Sequence, residues 1–158
     1  MRFEHLLEIN DINNPFVELL TRDQLWAGLL FRVENPEPFL PGLERCEVLS
    51  SGENWLERLL DFGPASIRDR VTLVPGESTH YEIAASESHA GGSLTIRIEA
   101  RSELDLYLRF IYTTHHPAAP DDAQYDDYVK SAYQQSNIDT VRLIREMAAE
   151  GKLIGPLH

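Results

Sequence analysis

Hydrophobic and polar residues alternate well at the start of the chain. Phe3, His5, Leu7 and Ile9 share one parity, and Glu4, Leu6 and Glu8 share the other, which predicts a half-buried strand over 2–10. Asn, Asp and Pro crowd residues 10–15 into a turn. Thr21 then stands as a helix N-cap before Arg22-Asp23-Gln24, and Leu25, Trp26, Leu29, Leu30 and Val33 follow at helical spacing. Asn35-Pro36 should end that helix, because proline biases its predecessor away from the helical region. A second short helical turn runs to Phe39, and Pro41-Gly42 closes the segment. Six further strands are predicted at 43–50, 54–62, 65–74, 78–86, 92–101 and 104–115. Strands this closely spaced pair antiparallel as a meander. Asp121-Asp122 after Pro120 opens a long helix over roughly 121–150, stopped by Gly151. Its apolar stripe is Tyr125, Tyr128, Val129, Ala132, Tyr133, Ser136, Val141, Leu143, Ile144 and Met147, weakened midway by Ser136 and the polar stretch 137–140.

Taking the more apolar parity of each strand as inward yields residue-level expectations. The second strand turns in Cys46 and Val48, the third Leu56, Arg58, Leu60 and Phe62, and the fourth Ile67, Asp69, Val71 and Leu73. The fifth turns in Tyr81, Ile83 and Ala85; the sixth Leu94, Ile96, Ile98 and Ala100; the seventh Leu104, Leu106, Leu108, Phe110 and Tyr112. Three ionisable residues, His5, Arg58 and Asp69, therefore share the apolar face. If Gly63-Pro64 is a two-residue loop, Phe62 faces Ala65, Leu60 faces Ile67 and Arg58 faces Asp69; a loop two residues longer keeps the charged pair as diagonal neighbours. Pairing is required, since an isolated buried charge costs several kcal/mol or neutralises itself.

Composition narrows the function classes. The 158 residues suit one domain, 1–158, and the formal charge of −12 leaves no basic cluster to neutralise phosphates. Nucleic acid and anionic membrane surfaces are thus disfavoured as partners. The one cysteine, Cys46, has no partner for a disulfide and no Cys/His ligand spacing around it, so no metal is expected. No apolar run approaches a bilayer-spanning length, and the opening Met1-Arg2-Phe3-Glu4-His5 lacks a signal peptide's apolar region. A cytoplasmic location is expected.

Strand, two short helices, six strands and a long helix describe an α+β helix-grip architecture, in which a curved seven-stranded antiparallel sheet wraps a long carboxy-terminal helix. The segment Leu20-Thr21-Arg22-Asp23-Gln24-Leu25-Trp26-Ala27-Gly28-Leu29, with Arg32-Val33-Glu34-Asn35-Pro36 and Phe39-Leu40-Pro41-Gly42, is more specific than element order. Together with Phe3-Glu4-His5 and Arg68-Asp69-Arg70-Val71-Thr72-Leu73, it resembles the AtaL-like branch of the START-like, birch-pollen-allergen (SRPBCC) superfamily over essentially the whole chain. The resemblance implies a cavity between sheet and helix. It also implies relatives that carry hydrophobic ligands, cyclise polyketides or activate chaperones, among which fold alone does not choose.

Candidate chemistry is sparse. No P-loop, GxGxxG, HExxH or GxSxG occurs, so an enzyme here would work by acid–base and positioning effects without a cofactor. Arg58 would orient a ligand carboxylate, phenolate or ketone while Asp69 holds its guanidinium, or the two form a structural ion pair. His5 is a candidate general base or a core histidine satisfied by a backbone carbonyl. His115-His116 would diverge on a strand and chelate poorly. Tyr125, Tyr128 and Tyr133 on the helix, with Tyr81, Phe110 and Tyr112 on strands and Trp26 as a lid, are candidate aromatic walls, or simply core. A dry void of roughly 300 Å³ would forfeit about 7 kcal/mol, so a hollow that large implies an occupant. The leading expectation is a cofactor-free binder of an apolar or aromatic small molecule. The alternatives are a cyclase or dehydratase using His5, Arg58 or a tyrosine, and an adaptor that binds a protein through its acidic surface. The oligomeric state is left open, a homo-oligomer included.

Overall fold

The computed structural model describes residues 2–16, 18–86, 90–115 and 123–153, with the side chains of 123–126 excepted. The elements run β1 (Arg2–Glu8), α1 (Arg22–Glu34), a 3₁₀ turn (Glu37–Phe39), β2 (Arg45–Gly52), β3 (Trp55–Asp61), β4 (Ser66–Val74), β5 (Ser78–Ile83), β6 (Gly92–Ala100), β7 (Leu106–Thr114) and α2 (Ala123–Ala149). The seven strands form one curved antiparallel sheet in the order β1-β7-β6-β5-β4-β3-β2, so that β1 and β2 are its edges. The meander expected from the turn spacing is therefore present, with β1 added beside β7. Of the two expected short helices, the first is the 13-residue α1 and the second is a single 3₁₀ turn.

Local chemistry explains the boundaries. Thr21 closes a capping box on α1: its hydroxyl accepts from the Gln24 N–H at 3.1 Å, and its own N–H donates to Gln24 Oε1 at 2.9 Å. At the other end of the chain, Gly151 adopts φ +73°, and the N–H groups of Gly151 and Lys152 donate to the carbonyls of Ala148 and Met147. That is a Schellman stop, which satisfies carbonyls that α2 leaves open. Asp121 and Asp122 lie outside the described residues. Between β3 and β4 the loop is Gly63-Pro64, with Gly63 at φ +90° and the Phe62 N–H donating to Ala65 O at 2.9 Å. Leu60 consequently pairs with Ile67 and Arg58 with Asp69, the shorter of the two anticipated registers.

The inward parity holds along most strands, and the exceptions have local causes. Val48 is 56% exposed because β2 is an edge strand whose register slips between Val48 and Ser50. Ala85 and Leu104 lie outside β5 and β7, and Ala100 ends β6; all three are exposed. On the outer face, Arg97 and Arg109 pair with Glu99, and Arg70 pairs with Glu57.

Both helices cover the inner face. Thr140 and Ile144 of α2 are buried, and Tyr133 stacks on the inward Tyr112 of β7. The polar stretch read as a weak point of the stripe is thus partly its buried face, because 133, 137, 140 and 144 follow one another at helical spacing. In α1 the buried set includes Gly28 and Arg32 as well as Leu25, Trp26, Leu29 and Val33. The loop between β1 and α1 is fastened by buried Asn10. Its amide donates to the carbonyls of Leu20 (2.8 Å) and Leu104 (2.9 Å), and its oxygen accepts from the Leu20 N–H.

Gly28 sets how closely α1 approaches α2, since a Cβ there would lie 2.6 Å from Ile144 Cγ2, and Ile144 is fully buried. Gly28→Ala should therefore destabilise the protein by about 1–3 kcal/mol despite alanine's better helix propensity. A chemical-denaturation midpoint checks this, and Gly28→Ala combined with Ile144→Val should recover part of the loss.

Candidate functional site

Between the sheet, α1 and α2 lies a half-open cavity of about 280 Å³. Leu60, Phe62, Ile67, Ile83 and Leu94 supply apolar wall, Tyr81, Tyr112 and Tyr133 aromatic wall, and Arg32, Arg58 and Asp69 the charges.

Arg58 and Asp69 come together as the hairpin register requires. Arg58 Nε donates to Asp69 Oδ1 at 2.9 Å and Nη2 to Oδ2 at 2.5 Å, a bidentate pair whose residues are only 2% and 6% exposed. A third donor, Nη1, reaches the Val33 carbonyl at 2.8 Å. Val33 lies in the last turn of α1, where carbonyls lack intrahelical partners. Burial alone would lower the Arg58 pKa, and the Asp69 carboxylate more than reverses it, so the guanidinium stays charged. The pair is neutral as a unit and joins β3, β4 and α1.

Arg32, one residue before Val33, is a different case. It is 6% exposed and lines the cavity, yet it makes no hydrogen bond or ion pair among the described residues, and its Nε is buried without a partner. Its guanidinium carbon lies 5.0 Å from the Tyr81 ring centroid and 5.9 Å from that of Phe39. These faces stabilise the cation but accept none of its N–H groups. Arg58 flanks the Tyr81 ring as well, at 5.4 Å. The Tyr81 hydroxyl is itself buried and unpartnered. Arg32 escaped the sequence reading because an arginine near a helix C-terminus reads as surface charge. The available signal was its place three residues after Leu29, on the apolar stripe.

His5 lies one layer behind the cavity. Tyr112 donates its hydroxyl to Asn137 Oδ1 at 2.5 Å, and Asn137 Nδ2 meets His5 Nδ1 at 3.0 Å. An amide nitrogen is a donor, so His5 accepts at Nδ1 and carries its proton on Nε2. Burial lowers the His5 pKa and raises that of Tyr112, whose rise the Arg32 charge partly opposes. Tyr112 and Tyr133 stack with centroids 3.9 Å apart and planes 3° apart, forming one flat panel of wall. The expectation of a histidine satisfied by a backbone carbonyl thus gives way to one satisfied by a side-chain amide. Buried Asn137 was missed because it was counted as a defect in the helix stripe.

The remaining candidates are placed elsewhere. Tyr128 is 73% exposed, which removes it from the wall; five residues before Tyr133, it lies about 140° around the helix. Trp26 and Phe110 are buried in the core and do not line the cavity. The Tyr125 side chain and His116 lie outside the described residues. Burial raises the pKa of half-buried Cys46, which keeps it a thiol. Among the described residues, no three His, Cys, Asp or Glu side chains gather as a metal-ligand set, and no helix is long and apolar enough to cross a membrane.

The family described as acetylaranotin biosynthesis cluster protein L, AtaL, matches residues 7–151. No curated protein sequence matches the chain. Solved structures share the fold at low identity. The Zhui aromatase/cyclase from Streptomyces sp. R1128 is 15% identical with a TM-score of 0.63, over 94% of this chain and 93% of that one. Ara h 8.0201 is 12% identical with a TM-score of 0.60, over 91% and 97%. The Aha1 dimer from Colwellia psychrerythraea is 11% identical with a TM-score of 0.58, over 92% and 96%.

Two measurements check the electrostatics. Arg58→Met or Asp69→Asn alone strands a buried polar partner and should cost about 3–5 kcal/mol in urea unfolding, whereas Arg58→Met with Asp69→Leu should recover most of it. For His5, the lowered folded pKa means that the unfolded chain binds the extra proton. Its contribution to stability is complete above the ordinary value of 6.5 and shrinks as pH falls through 6.5 toward the folded pKa. His5→Gln should flatten that part of the stability–pH curve, and an unchanged slope would locate the dependence elsewhere.

Proposed function

The chain belongs to the AtaL family, and on that premise we propose that it binds an apolar or aromatic small molecule, without a cofactor, in the cavity between sheet and α2. One observation carries this reading: a half-open hollow of about 280 Å³ is walled by aliphatic side chains and three tyrosines. Left dry, such a volume would forfeit about 7 kcal/mol, comparable to the stability of a whole domain. A chain free to fill that space would gain from larger side chains at Ser93 or Ser136, which line it instead. Flat ligands suit the Tyr112–Tyr133 panel, since ring faces present area at little entropic cost.

A second reading, a cofactor-free cyclase or dehydratase, is favoured by one feature. Tyr81 lines the cavity, and its buried hydroxyl, which has no partner among the described residues, would serve as a proton donor to a carbonyl. This reading needs turnover that falls in Tyr81→Phe with the fold intact.

Binding is tested with N-phenyl-1-naphthylamine, a neutral dye whose fluorescence rises in apolar sites. The wild-type protein should enhance it saturably and melt at higher temperature in its presence. Ser136→Trp, which fills the hollow from α2, should abolish the enhancement while retaining a cooperative melt. Equal enhancement in the variant, or none in the wild type, would remove the cavity from the function and favour a protein partner.

A further inference from the structure

Among the described residues the charges lining the cavity do not balance, and the imbalance suggests a ligand class. Arg58 and Asp69 cancel, with the pair's donors directed to each other and to the Val33 carbonyl. Arg32 remains as a full positive charge on the wall, 6% exposed and without an anionic partner among the described residues. A buried guanidinium in that condition is costly, and contact with the Tyr81 and Phe39 rings offsets only part of the cost. The surroundings make the feature more specific, because the chain as a whole carries −12. A cation facing inward in so acidic a protein is not there for general solubility. Its field is felt across the hollow, where it opposes the upward pKa shift that burial imposes on Tyr112. On the same wall, the Tyr81 hydroxyl is a second buried donor without an acceptor.

We propose that the occupant of this cavity is an aromatic or polyketide-like molecule bearing one acidic oxygen, a carboxylate or an ionised phenol, and that Arg32 binds that oxygen with the Tyr81 hydroxyl as an auxiliary donor. The inference rests on the binding reading above and adds the charge of the ligand to it. Arg32 thereby takes the anion-orienting role that the sequence suggested for Arg58, while the Arg58–Asp69 pair positions the end of α1 from which Arg32 projects. The apolar and tyrosine walls hold the ring body, and the guanidinium favours an anion over its neutral analogue, because a charge-assisted bond returns more of the stabilisation lost on burial than a neutral acceptor does.

The test uses matched pairs that differ in charge and little in shape: 2-naphthoate against 2-naphthamide, and 4-nitrophenolate against 4-nitroanisole. Each competes at pH 8 with N-phenyl-1-naphthylamine on the intact protein. At least one anion should displace the dye about tenfold more effectively than its neutral twin, and which pair shows the preference tells carboxylate from phenolate. Arg32→Gln should bring that ratio close to one with the neutral twin's affinity little changed. Arg32→Lys should retain part of the preference, and Tyr81→Phe should reduce it a few-fold. Should Arg32→Gln fail to fold, the Arg32 Nε–H resonance of the wild-type protein supplies the answer: it should move on titration with the preferred anion and stay in place with its neutral twin. Equal displacement within both pairs, a preference that survives Arg32→Gln, or an unmoved resonance overturns the charge assignment while leaving the cavity as a binding site. A wild-type protein that takes up no dye overturns both.

Discussion

The bidentate contact of Arg58 with Asp69, extended to the Val33 carbonyl, is the interaction on which the arrangement depends. Two adjacent hairpin strands supply the ions and the end of α1 supplies the third partner, so one guanidinium ties the hairpin to a helix that precedes it in the chain. Such a group is stable inside a protein only when its charge and its donors are met together. Meeting them holds the last turn of α1 over the sheet. The residue before Val33 is Arg32, so the same anchor that ends the helix also delivers a second guanidinium to the hollow.

At the other side of the cavity, α2 is held by a polar contact layer rather than by apolar packing alone. The Tyr112 hydroxyl donates to the Asn137 amide oxygen, and the Asn137 amide nitrogen donates to His5 Nδ1, so the three form one chain. A satisfied buried network is more demanding of geometry than a run of leucines, because a displaced member leaves its neighbours unpaired. It orients the Tyr112–Tyr133 panel. Gly28 lets Ile144 of α2 approach α1 closely.

Structures titled as an aromatase/cyclase, Ara h 8.0201 and an Aha1 dimer share this backbone at only 11–15% identity. A fold shared so widely does not by itself fix a function, and what distinguishes one member from another is the side chains it carries. Here those lining the cavity are apolar and aromatic, with one guanidinium paired and one without an anionic partner among the described residues, and it is on this combination that the proposed flat, acidic guest rests.

The order of elements, the Thr21 N-cap of α1, the turn at Gly63-Pro64 and the closeness of Arg58 and Asp69 across it were legible in the sequence. They follow from local rules, since alternation, capping and turn length act over a few residues and propagate through strand pairing. What the tertiary structure decided is which polar residues are buried and which aromatic ones are not. Arg32, Asn137 and Tyr128 are not what their residue type suggests: the first two are polar residues on buried helix faces, Arg32 marked only by its spacing from Leu29, and the third is an aromatic residue left exposed among the described residues. Burial at those positions is set by how α1 and α2 are rotated against the sheet. That rotation comes from contacts between residues far apart in the chain, such as Val33 with Arg58 and His5 with Asn137, and no pattern within a short window contains it.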